Sequence, residues 1–169
     1  MVVTSEYYDP STKMIHIHRS GDMSSIPAGQ TESMNLGLAD TSFEDTKFKI
    51  KSITYKLLIY PTNTGSFDVA AFNASNDCNG EYIFGVGNTT ENFDSFTDLV
   101  QFRATSAWPV DTSMWFSTVG RVFTATKVWK PRKLALSHEQ KAFLVAFNDL
   151  GSSRSPQSYG SIYIRGIRL

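Results

Sequence analysis

The sequence lacks most of the residues and motifs by which an enzyme, a metal site or a membrane protein can be recognised. Its single cysteine, Cys78, excludes an intrachain disulfide and any zinc site built from several cysteines. It contains three histidines and no HExxH, phosphate-binding loop, G-x-S-x-G or dinucleotide-binding glycine pattern. No apolar run approaches the roughly 20 residues that span a bilayer. We therefore predict a protein that is not an enzyme, has no cofactor and has no membrane span.

The first twelve residues lack positive charge. Residues 1–12 contain no lysine or arginine, and no apolar run follows them, so they do not resemble a secretory signal peptide. A chain of 169 residues is the size of one domain with one core. We interpret residues 1–169 as a single domain, with residues 1–12 as an N-terminal arm or extended segment.

Aromatic residues are abundant, at 13% of the chain, and the apolar positions alternate as they do in half-buried strands. Turn residues separate eight to ten such stretches, and short helical turns are predicted only at 93–105 and 137–140. This pattern predicts an all-β, antiparallel sandwich, namely an eight-stranded single jelly roll with one or two short helical turns. The predicted strands are 13–19, 31–38, 47–60, 66–73, 81–87, 114–120, 121–129, 141–149 and 159–169.

Two of these strands allow finer predictions. In 47–60 the apolar positions change parity after Ile50, which requires a bulge near Lys51–Ser52 because strand periodicity is two. In 159–169 we predict that Ile162, Ile164 and Ile167 point to the core, with a shift at Gly166. A strand this apolar would be prone to aggregation at an edge, so it should lie between two neighbours.

Charge is balanced overall but uneven along the chain. Residues 1–102 hold 6 Lys/Arg and 13 Asp/Glu, a net of −7, whereas residues 103–169 hold 10 and 3, a net of +7. The acidic and basic halves can attract each other between copies of the protein, or their charges can intermix and cancel within one sandwich.

The segment "KVWKPRK" (127–133) places four cations around a tryptophan, which is typical of single-stranded nucleic-acid binding. The alternative is a solvated strand end whose tryptophan packs in the core. The predicted nucleic-acid-binding residues are Arg103, Arg121, Lys127, Trp129, Lys130, Arg132 and Lys133. A second set of aromatics in polar settings suits sugar stacking or subunit contacts, with core packing as the alternative: Tyr7, Tyr8, Trp108, Trp115 and Tyr159.

His16 and His18 form the one metal-like spacing. A His-x-His pair resembles the opening of the cupin metal motif, but Asp22 stands where a glutamate belongs and no third histidine follows "PAG" at 27–29. We therefore predict no metal site, with His16 and His18 as the weak candidates, and interpret the pair as facing solvent or an interface.

Three stretches together resemble the small single-jelly-roll coat proteins of icosahedral viruses. They are a long early strand closed by proline ("KIKSITYKLLIYPTN"), a late strand entered from a short turn ("LSHEQKAFLVAFND"), and a final strand opening with Tyr-Gly ("YGSIYIRGIRL"). In size and layout the chain is similar to satellite-virus and nanovirus-like coat proteins. Such proteins commonly begin with a basic arm, which residues 1–12 do not supply.

The resemblance implies a capsid protein that assembles from many copies of itself into an icosahedral shell. It further implies genomic nucleic acid on the inner face, a location in the virion, and synthesis in the host cell without a signal peptide. The alternative is a jelly-roll carbohydrate-binding, lectin-like module, which would use coplanar aromatics and would stay monomeric or form small oligomers.

Overall fold

The computed structural model describes residues 2–43, 47–60, 78–90, 114–117, 122–130, 135–152 and 155–169. These residues form ten strands. Their bounds are β1 Val3–Asp9, β2 Met14–Ser25, β3 Thr31–Gly37, β4 Phe48–Tyr60, β5 Asn79–Asn88, β6 Met114–Ser117, β7 Phe123–Trp129, β8 Ala135–Leu136, β9 Gln140–Asn148 and β10 Gln157–Arg168.

The strands form two antiparallel sheets. The six-stranded sheet has the order β1-β2-β10-β4-β7, with β8 also paired to β4, and the four-stranded sheet has the order β3-β9-β5-β6. Because β2 to β5 alternate between the sheets, and β9 and β10 do so again, the sheets are connected as interleaved Greek keys. This arrangement confirms the predicted all-β jelly-roll sandwich.

The core lies between the sheets, where alternate side chains of each strand meet. On β2, Ile15 and Ile17 are fully buried, as the sequence pattern predicts. Tyr55 of β4 spans the gap: its ring stacks on Phe84 of β5 at 5.1 Å between centroids. Its hydroxyl donates a 2.7 Å hydrogen bond to the carbonyl of Gly85. One side chain thus joins the two sheets by both packing and a buried hydrogen bond.

The predicted bulge in β4 is confirmed. Along the β10–β4 ladder, Arg165 pairs with Ser52 and Gly166 pairs with Ile50, so Lys51 is the extra residue. The bulge lets both Ile50 and Ile53 enter the core despite their odd separation.

The last strand lies between neighbours, as predicted, because β10 pairs with β2 on one side and β4 on the other. Ile162 and Ile164 are buried as expected. The prediction for Ile167 is wrong: β10 keeps its parity to the end, so Gly166 takes the inward position and Ile167 is only half-buried on the other side. The irregularity that the sequence suggested at Gly166 belongs to the partner strand at Lys51.

The predicted helical turn at 137–140 is a turn that leads directly into β9. The amide of Gln140 donates to the carbonyl of Ser137, while the Gln140 side-chain oxygen accepts from the Ser137 amide at 2.8 Å. The Ser-x-x-Gln pattern therefore closes a single reverse turn, and the continuous apolar run that follows it forms strand β9. The described helical element is a 3-10 turn at Leu38–Asp40, and no helix in the described ranges is long and apolar enough to cross a membrane.

The beginning of the chain belongs to the sheet. Within the 1–12 segment, β1 runs antiparallel to β2 over seven residue pairs from Val3 with Ser20 to Asp9 with Met14. The predicted strand at 66–73 and the predicted helical turn at 93–105 lie outside the described residues.

Candidate functional site

The two sheets differ in how much of their outward side a ligand can reach. In the four-stranded sheet, Ile83, Phe143 and Val145 are fully buried although their strand neighbours Phe84 and Leu144 are the residues that enter the core. The middle of that sheet is therefore covered on both sides. The six-stranded sheet instead alternates buried and accessible residues along β2 and β10.

We call the accessible side of the six-stranded sheet the outer face. The strand register sets its side chains in rows that cross the sheet. One row runs from Ser5 through His18 and Tyr163 to Thr54, and the next runs from Tyr7 through His16 to Arg165. Residues far apart in the sequence thus become neighbours because β10 sits between β2 and β4.

An open depression of about 440 Å³ lies where these rows meet β1, within the volume range of small-ligand sites. We call it the tyrosine–histidine depression. Tyr7 is 61% exposed, so its ring is available for contact. The lining residues are Ser5, Glu6, Tyr7, His16, His18 and Tyr163.

Hydrogen bonds to β10 hold both imidazoles of the depression. The Tyr163 hydroxyl and His16 Nδ1 are 2.5 Å apart, and His18 Nε2 and the Ser161 hydroxyl are 2.8 Å apart. The Tyr7 and His16 ring centroids are 5.8 Å apart, with the planes tilted by 41°. The rings are thus oriented before any ligand arrives, while each imidazole has a second nitrogen for further bonding.

Exposed cations lie beside the depression on the central strands. Lys49, Lys51 and Lys56 of β4 and Arg165 of β10 are all exposed. Lys49 and Lys56 share the outer face with Arg165, because they pair with Ile167 and Ser161 of β10. These four cations create a positive field across the middle of the sheet.

Carboxylates also lie on or beside the outer face: Asp9 at the end of β1, Asp22 on β2, and Glu6, which lines the depression and accepts from the amide and hydroxyl of Ser42. Asp9 accepts from the hydroxyl and amide of Ser11, and these bonds lower the pKa of its carboxyl. Burial, and then the charge of Asp22, raises the pKa of Tyr60 at the end of β4. Glu6 therefore places a carboxylate at the depression itself, whereas Asp9 and Asp22 lie toward opposite ends of the sheet.

A second, smaller depression of about 260 Å³ lies on the β4–β7 side of the outer face. Tyr159, which is 40% exposed, stands over it. Its other lining residues include Lys56, Leu58, Thr124, Thr126 and Ser161. The outer face therefore carries a second exposed tyrosine, which lies apart from the tyrosine–histidine depression.

The predicted basic segment is only partly described. Along β7, Lys127 and Trp129 take the inward parity and are half-buried, and Trp129 packs against the core. Lys130 is exposed directly after the strand ends. The core-packing alternative therefore holds for Trp129, whereas nucleic-acid contact by Lys127 and Lys130 stays a prediction. The other predicted residues, Arg103, Arg121, Arg132 and Lys133, lie outside the described residues.

The structure also separates the five aromatic residues that are predicted to suit sugar stacking or subunit contacts. Tyr7 and Tyr159 are exposed on the outer face, whereas Tyr8 is partly buried against the core. Trp108 and the side chain of Trp115 lie outside the described residues.

His16 and His18 are neighbours on one face of β2, as predicted, and each imidazole is bonded to a hydroxyl of β10. In the described part of the chain, no three His, Cys, Asp or Glu side chains group as a metal site would require.

Sequence reasoning missed the cations of the outer face. Lys49, Lys51 and Lys56 lie within a strand whose apolar positions alternate with them, so the pattern in "KFKIKSITYK" does place them outward. What the sequence does not contain is the strand order, which sets Arg165 and the β2 histidines beside those lysines.

No protein-family model and no curated protein matches the sequence. Solved structures are similar over nearly the whole chain at low identity. A carbohydrate-binding module of Caldicellulosiruptor saccharolyticus, in complex with mannohexaose, is 11% identical, with a TM-score of 0.43 over 99% of this chain and 82% of its own. Desmodium yellow mottle tymovirus gives 10% identity and a TM-score of 0.41, over 100% and 89%. Since sugar-binding modules and virus proteins both occur, these similarities do not decide the function.

Proposed function

We propose that the protein is a structural, non-enzymatic coat protein that assembles from many copies into a closed viral shell, with nucleic acid held against the outer face of the six-stranded sheet. The observation that carries the proposal is the set of exposed cations that lies beside the tyrosine–histidine depression and its exposed Tyr7 ring on that face. Phosphates are bound by lysine and arginine, and bases stack on aromatic rings.

Features at the borders of the same sheet support assembly. In the described part of the sheet, β1 and β7 are the outermost strands. Val3 on β1 is 54% exposed and Val128 on β7 is 51% exposed. Outermost strands with exposed apolar residues favour contact with another chain. A contact between two different borders is heterologous, and repeated contacts of this kind close into rings and shells when the rotation allows.

The first test is light scattering of the purified chain, with the 260/280 nm absorbance ratio read on the same peak. We expect a species many times heavier than the 18.9 kDa subunit, with excess absorbance at 260 nm. A monomer that persists across salt concentration and pH would contradict assembly. A heavy particle without excess 260 nm absorbance would contradict the nucleic-acid contact alone.

The sheet face and the "KVWKPRK" segment can be separated by matched charge removals. Lys56→Gln removes one exposed cation from the outer face, and Lys130→Gln removes one from the segment. If the outer face binds the phosphates, Lys56→Gln should reduce the slope of log affinity against log salt by about 0.7 on single-stranded DNA. Lys130→Gln should leave the slope close to that of the original chain. The reverse result would assign phosphate binding to the segment.

A jelly-roll sugar-binding module is the second candidate, because the tyrosine–histidine depression is open and is lined by rings and hydroxyls. Carbohydrate sites use such rings for stacking and such polar groups for orientation. A monomer that binds a neutral oligosaccharide through Tyr7, with no dependence on salt, would favour this function.

A further inference from the structure

We infer that the tyrosine–histidine depression is a stacking site for an unpaired base of single-stranded nucleic acid. Tyr7 supplies the stacking surface, and the basic residues of the outer face hold the flanking phosphates. This inference rests on the proposed function and adds to it the form of nucleic acid that is bound and where one base sits.

The geometry of the rings supports stacking. The Tyr7 ring is the most exposed ring of the depression, and His16 stands behind it at 5.8 Å between centroids. Tyr163 holds His16 by the hydrogen bond to Nδ1, and its ring lies 6.0 Å from that of His16. A base that stacks on Tyr7 therefore meets a wall of fixed rings, so little side-chain ordering is required on binding.

The polar groups fit a base edge. Among the described contacts, His16 uses Nδ1 and His18 uses Nε2 for bonds to β10. The remaining nitrogens, Nε2 of His16 and Nδ1 of His18, can donate to or accept from the edge of a base. The hydroxyl of Ser5 lines the same depression as a further partner.

Charge favours nucleic acid over a neutral sugar as the occupant. Arg165 is the direct cross-strand partner of His16, and exposed Lys56 lies on the next strand. A neutral sugar can only accept hydrogen bonds from these cations, whereas each phosphate next to a stacked base also gains charge attraction. The strand must be single, because in a duplex the faces of the bases are stacked on one another and cannot reach a side chain.

The test compares two probes that differ only in bases: a thymidine 12-mer and an abasic 12-mer with the same number of phosphates. Binding is measured by fluorescence anisotropy on the full chain. We expect the thymidine strand to bind about 5- to 150-fold more tightly, the range expected for one stacked base. Binding of a 12-base-pair duplex should not change on Tyr7→Leu, because the faces of its bases are covered.

Three variants locate the stacking. Tyr7→Leu should abolish the preference for the thymidine strand, because it keeps an apolar side chain but removes the ring. Tyr7→Phe should restore the preference, since only the hydroxyl is lost. Tyr159→Leu is the matched control, because it removes an exposed tyrosine of the same face that lies outside the depression; it should keep the preference.

Equal binding of the thymidine and abasic strands by the original chain would overturn the inference. So would a preference that survives Tyr7→Leu, or one that Tyr159→Leu removes equally. Salt-dependent binding of both probes, together with heavy particles, would still support the proposed function. Tight binding of mannohexaose that Tyr7→Leu abolishes, with weak binding of both strands, would overturn the inference in favour of a sugar site.

Discussion

Replacing Ile164 by alanine tests the register on which the outer face depends. Ile164 lies in the middle of β10, opposite Ile17 of β2 and Ile53 of β4, and is almost fully buried. Three residues later on the same strand, Ile167 is only half-buried on the opposite side of the sheet. The two substitutions remove the same atoms from one strand, so the difference between them measures which side faces the core.

The expected loss follows from burial. Ile→Ala removes three carbons, worth about 0.8 kcal/mol each when buried, or about 2.4 kcal/mol in transfer free energy. The cavity left behind raises the total for Ile164→Ala to about 3–4 kcal/mol. For Ile167→Ala we expect about 1 kcal/mol. At 2–4 °C per kcal/mol for a chain of this size, the Tm of Ile164→Ala should fall by about 6–16 °C.

The assay is urea unfolding followed by intrinsic tryptophan fluorescence, with the slope m checked for each variant. Each titration is repeated at two protein concentrations, because assembly adds apparent stability that depends on concentration. Equal losses for the two variants, or a larger loss for Ile167→Ala, would refute the register of β10 against β4. The assignment of Arg165 and Tyr163 to the outer face would then fail as well.

Three further outcomes are expected in the same assay. Tyr55→Phe should cost about 1–2 kcal/mol, because it leaves a buried carbonyl without the hydroxyl that joins the sheets. Gly160→Ala should cost about 1–3 kcal/mol, since its methyl would lie 2.6 Å from Met23 Sδ; Gly151→Ala, with nothing within 4 Å, should change little. Burial, and then a neighbouring glutamate, raises the pKa of Asp149, so its charge opposes folding at neutral pH. Asp149→Asn should therefore add less than about 1 kcal/mol at pH 7. That gain should disappear as the pH falls below the ordinary aspartate pKa of about 3.9. Asp149 is then protonated and uncharged in both the folded and the unfolded chain, as asparagine is at every pH.

Local pattern was sufficient for eight of the ten described strands and for the bulge, but it did not predict β1 or β8 as strands. The bulge at Lys51 follows from side-chain parity alone, because two apolar residues three positions apart cannot both face the core of a regular strand. The same reasoning misplaced the irregularity near Gly166, since parity in one strand does not say which partner carries the extra residue. Only the ladder between β10 and β4 distinguishes the two.

The candidate site was beyond reach from the sequence for a topological reason. Tyr7, His16 and Tyr163 are adjacent because β10 inserts between β2 and β4, a pairing across more than a hundred residues. Sequence reasoning instead favoured the cations of one continuous segment, where proximity is guaranteed by the chain. In β7, strand alternation turns Lys127 and Trp129 inward, an orientation that proximity along the chain does not predict.

The central position of β10 has a consequence for how the chain is made. β2 and β4 are synthesised more than ninety residues before the strand that bridges them. Until residues 157–168 leave the ribosome, both earlier strands present open hydrogen-bonding edges and the apolar side chains destined for the core. This sheet can therefore be completed only after residues 157–168 have been synthesised. Nascent chains that lie close together on one messenger RNA can pair with each other through these open edges before each chain has its own β10.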